Sequence, residues 1–480
     1  MAIKPKLTTF DTTMVVVSLV IGIGIFRTPA MVAQAAGTPA VFFAAWILGG
    51  FISLLGALTF AEIGSRYSRA GSFYKIVAEH YGAAPAFMLN WTSVILVNGA
   101  GIAAISFIGA EYLNPIILPQ RLQTQTAVRL SAVVLTLVLL AINLLGIKTG
   151  AWTQNILTVF KIGMIGLIVF AAFRYGGGAV PAAEAVPLSK SWVLALAAGL
   201  ISVFYTYGGY HNTINLGADV RNARRNMPRA IVLGVLIIIA CYLTVNFAYV
   251  KVLGLAGVAG AKLVAAETAK VIFGDFGYLF VSLVIVLSAL GFLNVTLMHM
   301  PRIYYAMAED RVLPAFFKKV HPRTQAQAPG LIFLGAIILL SIFFLGTFEN
   351  IVNYVIFLDC ANIALVASTI FVLRRKARRV KGRAFGSPLA RDLNPRASTA
   401  EVDPRVKPGA PAAAETPYDG YKAPLYPILP AFFVLFLFGI SLNVLLTQTK
   451  QALIGAALFA TGLPVFLLMR RINTNRERKP

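Results

Sequence analysis

The groups best placed to do chemistry in this chain are main-chain groups, exposed where glycine interrupts a helix. The stretch VVVSLVIGIGIFRTPAMV, from Val15 to Val32, places Gly22 and Gly24 near the middle of an apolar run. Each glycine weakens a helix by about 1 kcal/mol relative to alanine and opens backbone conformations closed to other residues. Pro29 lets a second short helix restart. A later stretch, ALAAGLISVFYTYGGYHNTINLGADV, is interrupted at Gly208-Gly209, beside Tyr205, Tyr207, Tyr210, His211 and Asn212. These flanks are too polar for a turn facing lipid. An opened helix has unpaired N–H groups and partial positive charge at the start of its second half, suited to a carboxylate. The end of its first half offers carbonyls, suited to an ammonium. Main chain around Gly22, Ile23, Gly24 and Ile25 facing main chain around Phe204, Tyr205, Tyr207, Gly208 and Gly209 would grip both ends of an α-amino acid. Either glycine pair alone is equally well explained by a kink or a small-residue packing contact. Their recurrence in two apolar runs is what points to a substrate site.

Polar side chains inside the apolar runs are the next candidates. Lys161, in ILTVFKIGMIGLIV, is costly at membrane depth and faces protein or water. It is read either as a coupling group that titrates or replaces a cation, or as a lysine snorkelling to the surface. Asp359, in VIFLDCANIAL, is read as facing a cationic substrate, sharing a proton, or pairing with Arg27 or Lys161. A structural ion pair, or a carboxyl kept neutral by burial, is its plain alternative. Asn98 and Asn294 reach the pocket or glue helices by hydrogen bonding. His211 is a pH-sensitive pocket group or an ordinary hydrogen-bonded imidazole. Ser288 offers a hydroxyl for a sodium site, although a bond to its own helix explains it as well. Glu62 belongs to an inner gate, or packs locally on Arg66 or Arg69.

The elements that position these residues are membrane spans. The 480-residue chain is 58% hydrophobic and 12% charged, with a mean hydropathy of +0.78, which excludes a soluble protein. A net charge of +24 raises the question of nucleic acid, but lysine and arginine fall between the apolar runs, as membrane topology requires. Twelve spans are predicted, near 13–34, 40–63, 85–112, 127–147, 153–173, 192–217, 229–252, 276–300, 329–346, 351–373, 424–446 and 451–469. A surface helix is expected between Gly254 and Gly274. Basic residues concentrate in alternate loops, which predicts both ends on the cytoplasmic side. The first run is long and no cleavage site follows it, so it reads as a retained span. The interrupted runs are then the first and the sixth spans. Five spans per half make the second half an inverted copy of the first. The expected organisation is a tail over 1–12, a first repeat over 13–173, an inverted repeat over 192–373, a basic mobile loop over 374–423, two added spans over 424–469 and a tail over 470–480. Cys241 and Cys360 lie in apolar runs as buried thiols, and no disulfide, metal or cofactor pattern is present. No nucleophile, phosphate loop or dinucleotide motif competes with this reading, so no enzyme is expected.

Several motifs, in order, resemble the amino acid–polyamine–organocation superfamily. GIGIFRTP resembles its first-helix motif. AEIGSRYSRAGSFYKIVAEHYG, YGGYHNTINLGADVRNARRNMPRAI, MAEDRVLPAFFKKVHPRT and YKAPLYPILP resemble stretches of its L-type amino acid transporter branch. The resemblance covers nearly the whole chain. It implies an all-α integral membrane fold with five-plus-five inverted repeats, the first and sixth helices unwound around an amino acid. Lys161 matches the branch's fifth-helix lysine, standing where sodium-coupled relatives hold an ion. Sodium-independent transport, by exchange or proton coupling, is therefore implied. Ile23, Tyr210-His211 and Asp359 depart from the branch pattern. No outer-loop cysteine suited to an accessory subunit is seen, so the protein is expected to act alone in the cell membrane, with lipids as its surroundings. The rivals are a polyamine carrier, for which Asp359 is the sole acidic candidate, a sensor with an output domain, and a channel with a charged pore.

Overall fold

The computed structural model describes residues 3–93, 99, 101–176, 191–344, 359–376, 418, 420–447 and 449–477. Among these residues the protein is helical, and extended chain pairs only at two isolated bridges, Leu7 with Val220 and Ala70 with Leu216. Among the described residues, eight helices are long and apolar enough to cross a membrane, or nine if one bent pair counts as a single span. The bent pair is α1 (Thr9–Val20) and α2 (Gly24–Ala36), with axes 45° apart. Thr8 caps α1 in a reciprocal box with Asp11, and the Asp11 carboxylate also accepts a bond from Asn155 at 2.6 Å.

The second and third predicted spans follow. The second is one helix, α3 (Pro39–Arg66). The third is carried by α5 (Ala83–Thr92) and α6 (Gly101–Ile117), after the short α4 (Ser72–Tyr81). Asn98 lies outside the described residues. The fourth and fifth follow expectation as α7 (Gln125–Leu144) and α8 (Ile147–Arg174). The sixth run gives α9 (Trp192–Thr206), then a break, then a tight turn over Tyr210–Asn215.

Helix α10 (Ala223–Gly260) changes direction at Gly254, whose φ of +67° is open mainly to glycine. The expected surface helix is α11 (Val264–Phe273), which leads into α12 (Phe276–Glu309) and α13 (Ala328–Phe344). Residues 359–376 form α14. Two more helices follow, α15 (Ile428–Thr447) and α16 (Thr449–Glu477). Most of the long basic loop lies outside the described residues.

Burial explains the arrangement. α3, α10 and α12 run through the middle and hold large buried side chains such as Trp46, Tyr242 and Tyr304. α7, α8 and α15 instead point Leu130, Leu137, Trp152, Phe160, Leu435 and Phe438 outward, an apolar exterior that suits lipid. α1 packs on α10, α8 and α12, while α2 packs on α9 and α10. The two interrupted runs are thereby enclosed by protein, where irregular backbone is tolerated.

Candidate functional site

The breaks in the two runs face each other. Helix α1 stops at Val20 and α2 begins at Gly24, so Ile21, Gly22 and Ile23 link the halves. Helix α9 stops at Thr206, and Gly209 turns the chain with a φ of +113°. A Cβ at Gly209 would overlap the carbonyl oxygen of Leu19. One at Gly24 would stand 3.3 Å from Cγ2 of Thr206. Glycine at 209 thus serves both the turn and the close approach, and Gly24 keeps the start of α2 near the end of α9.

Two buried side chains hold this geometry. The Tyr242 hydroxyl on α10 donates to the carbonyl of Val20 at 2.9 Å and to that of Thr206 at 3.1 Å. Its single proton is shared between the last carbonyls of both interrupted helices. The Lys161 ammonium on α8 donates to the Ile21 carbonyl at 2.6 Å. Lys161 is fully buried, and a Cβ at Gly291 would lie 3.3 Å from its Nζ. Carbonyls freed by ending α1 would be costly in a dry interior; these donors satisfy those of Val20 and Ile21, and the Gly22 N–H adds a 2.8 Å bond to Val20.

Beside the breaks is a cavity of about 320 Å³. Gly22, Ile23, Gly24, Phe204, Tyr205, Gly208, Gly209, His211 and Asp359 line it. At the start of α2 the Phe26 N–H bonds to the Ile23 carbonyl at 3.1 Å, while the N–H groups of Gly24 and Ile25 have no preceding turn to bond to. The structure therefore brings the predicted main-chain residues to one place, with Asp359 on its wall. Ile25 and Tyr207 are buried beside it, and the Tyr207 ring packs on Tyr242 and Trp46 at centroid distances of 4.9 and 6.0 Å. Asn294 is placed elsewhere. Its amide bonds to Gly150 at 3.0 Å and Gln154 at 2.9 Å, and its carbonyl accepts from Asn143 at 2.7 Å. It fastens α12 to α7 and α8, outside the lining.

Comparison with known proteins now decides the class. Residues 7–467 match the amino acid permease profile. The chain belongs to the amino acid permease family. The permease is 26% identical over 459 residues to the serine/threonine exchanger SteT of Bacillus subtilis (strain 168), covering 95% of this chain and 94% of that one. It is 26% identical over 346 residues to the b(0,+)-type amino acid transporter 1 of Mus musculus, covering 71% and 70%. It is 25% identical over 376 residues to the cystine/glutamate transporter of Homo sapiens, covering 78% and 75%. These relatives are transporters, and the permease is a multi-pass membrane protein.

The permease's cavity also holds residues that sequence reading passed over. His299, Asn90, Ser93, Thr296 and Asn362 join its wall. Ser288 faces it as well, and its buried hydroxyl has no partner among the described residues. No group of three or more His, Cys, Asp or Glu able to hold a metal occurs among the described residues. Tyr205 is tied to α14 through a 3.1 Å contact between its hydroxyl and Cys360 Sγ. No hydrogen bond or ion pair joins Asp359 to Lys161, Arg27 or another described residue.

Away from the cavity, the end of α3 is bound to α14 and to the chain entering α15. The buried Glu62 carboxylate accepts from Arg66 at 2.7 Å, from Arg374 at 2.6 Å and from the Ala423 N–H at 2.7 Å. Arg69 pairs instead with Glu79 at 3.2 Å. The N-terminal segment is pinned nearby. Lys6 and Leu7 N–H groups donate to the Asp219 carbonyl at 2.7 and 2.8 Å, while the Asp219 carboxylate takes a two-pronged bond from Arg302 at 2.9 and 3.0 Å.

Proposed function

We propose that this permease is a secondary active, sodium-independent amino acid transporter working by alternating access, either as an exchanger or with protons. The observation that carries the proposal is the apposition of two opened helices across one cavity. Free N–H groups at the start of α2 receive the substrate carboxylate. Carbonyls at the end of α9, around Phe204 and Tyr205, receive its ammonium. Because both interactions use main chain, they recognise the part common to all α-amino acids and leave selectivity to the walls.

Lys161 supports sodium independence. Its ammonium occupies, against the Ile21 carbonyl, a place where a cation would otherwise neutralise the broken helix. It holds the break in shape while the surrounding helices move. In the proposed architecture, twelve spans contain two inverted five-span repeats, with α15 and α16 added. Both ends face the cytoplasm, the cell membrane is the location, and no accessory subunit is required. Glu62 then closes the cytoplasmic end by tying α3 to α14 and the entry of α15.

The test is counterflow of labelled amino acids into proteoliposomes loaded with an amino acid mixture. Uptake should be undiminished when choline replaces sodium on both sides. Strict dependence on sodium would overturn the coupling assignment.

A further inference from the structure

We propose that Asp359 is the receptor for a cationic side chain, which makes the permease selective for basic α-amino acids and closed to acidic ones. The inference rests on the amino acid reading above and adds the substrate class. With both ends of the substrate taken by main chain, the side chain meets only the cavity wall. Among the described lining residues that wall contains one carboxylate, Asp359, and no lysine or arginine. Asp359 makes no hydrogen bond or ion pair with any described residue. Lys161, the buried cation that caps the first break from α8, is outside the lining and committed to the Ile21 carbonyl.

A carboxylate withdrawn from bulk water without a counter-ion is unfavourable, and a cation that arrives with the substrate removes that penalty. A substrate carboxylate in the same place would set two like charges against each other in a poorly screening pocket. The wall favours a long donor-bearing side chain in other ways. Asn90, Ser93 and Asn362 supply further oxygen acceptors. His211 and His299 lie on the same wall, and an imidazole in its neutral form keeps one nitrogen able to accept. The position of Asp359 is fixed by its neighbour, since Cys360 holds the start of α14 against the Tyr205 hydroxyl. Asp359 thus shares the cavity wall with Tyr205, whose hydroxyl meets its neighbour Cys360 and whose main chain is assigned to the substrate ammonium.

The experiment is competition against labelled substrate in proteoliposomes, with lysine, leucine and glutamate as competitors, for the wild type, Asp359→Asn and Asp359→Glu. In the wild type, lysine should compete at least about tenfold better than glutamate, the difference that a charge-assisted hydrogen bond supports. Asp359→Asn should lower the ratio of lysine to leucine apparent affinity by about tenfold or more, and Asp359→Glu should restore most of it. Glutamate competing as well as lysine would overturn the proposal. So would an unchanged lysine-to-leucine ratio in Asp359→Asn, which would assign the carboxylate to the α-ammonium or to a proton. Wild-type protein that moves no amino acid would instead overturn the transporter reading beneath it, a result distinguishable from both.

Discussion

The two helix breaks do the same job by different means. At the first, Ile21 to Ile23, the backbone stays in conformations open to any residue, and side chains from elsewhere hold it. Lys161 and Tyr242 cap the carbonyls of Ile21 and Val20. At the second, the chain's own geometry makes the turn: Gly209 has a φ of +113° and presses on Leu19, with help from the shared Tyr242 hydroxyl. One break is therefore set by imported hydrogen bonds and the other by a conformation that only glycine takes without strain. The glycines in GIGIF and in YGGY look alike in sequence but answer different needs.

Three substitutions would break or sharpen that comparison. Gly209→Ala should have the largest effect, because it combines strain at positive φ with overlap on a backbone oxygen that cannot swing aside. A displacement of about 1 Å at the site is worth roughly 100-fold in rate, and uptake by correctly inserted protein should fall on that scale. Lys161→Ala comes next. It removes a charged donor from the buried Ile21 carbonyl, a loss of about 1.5–3 kcal/mol, which predicts at least roughly tenfold weaker apparent affinity. Lys262→Ala, at an exposed position, is the control, and equal effects would show that the Lys161 bond to Ile21 does not shape the site. Gly22→Ala should have the smallest effect. Its Cβ would meet nothing nearer than the Val20 carbonyl at 3.9 Å, so apparent affinity should change by no more than about fivefold, the equivalent of roughly 1 kcal/mol of helix propensity. A complete loss in Gly22→Ala would show that the first break also depends on glycine's conformational freedom.

Much of this was legible in the sequence, and the limits are physical. Glycine in the middle of an apolar run has a local cost, so both breaks could be located from one window each. Lys161 and Asp359 stand out because charge at membrane depth always requires an explanation. Tyr242 did not stand out. A tyrosine in IIIACYLTVNF needs a partner for its hydroxyl, but that its partners are two carbonyls from separate runs is a property of the packing. Asn294 shows the reverse error of direction. Its polarity was visible, yet periodicity cannot distinguish the face toward a cavity from the face toward two neighbouring helices. His299 and Asn90 reach the wall through the relative placement of α12 and α5, which no single window contains. The third predicted span contains α5 and α6, and Asn98 between them lies outside the described residues.

The most direct test of the central claim is competition by analogues that lack one end of the substrate. For whichever amino acid is transported best, the decarboxylated amine and the N-acetyl derivative should each lose at least about 100-fold in apparent affinity, since each forfeits a charge-assisted grip at one opened helix. If the decarboxylated amine competes as well as the parent amino acid, the free N–H groups at the start of α2 are not a carboxylate site, and the account fails.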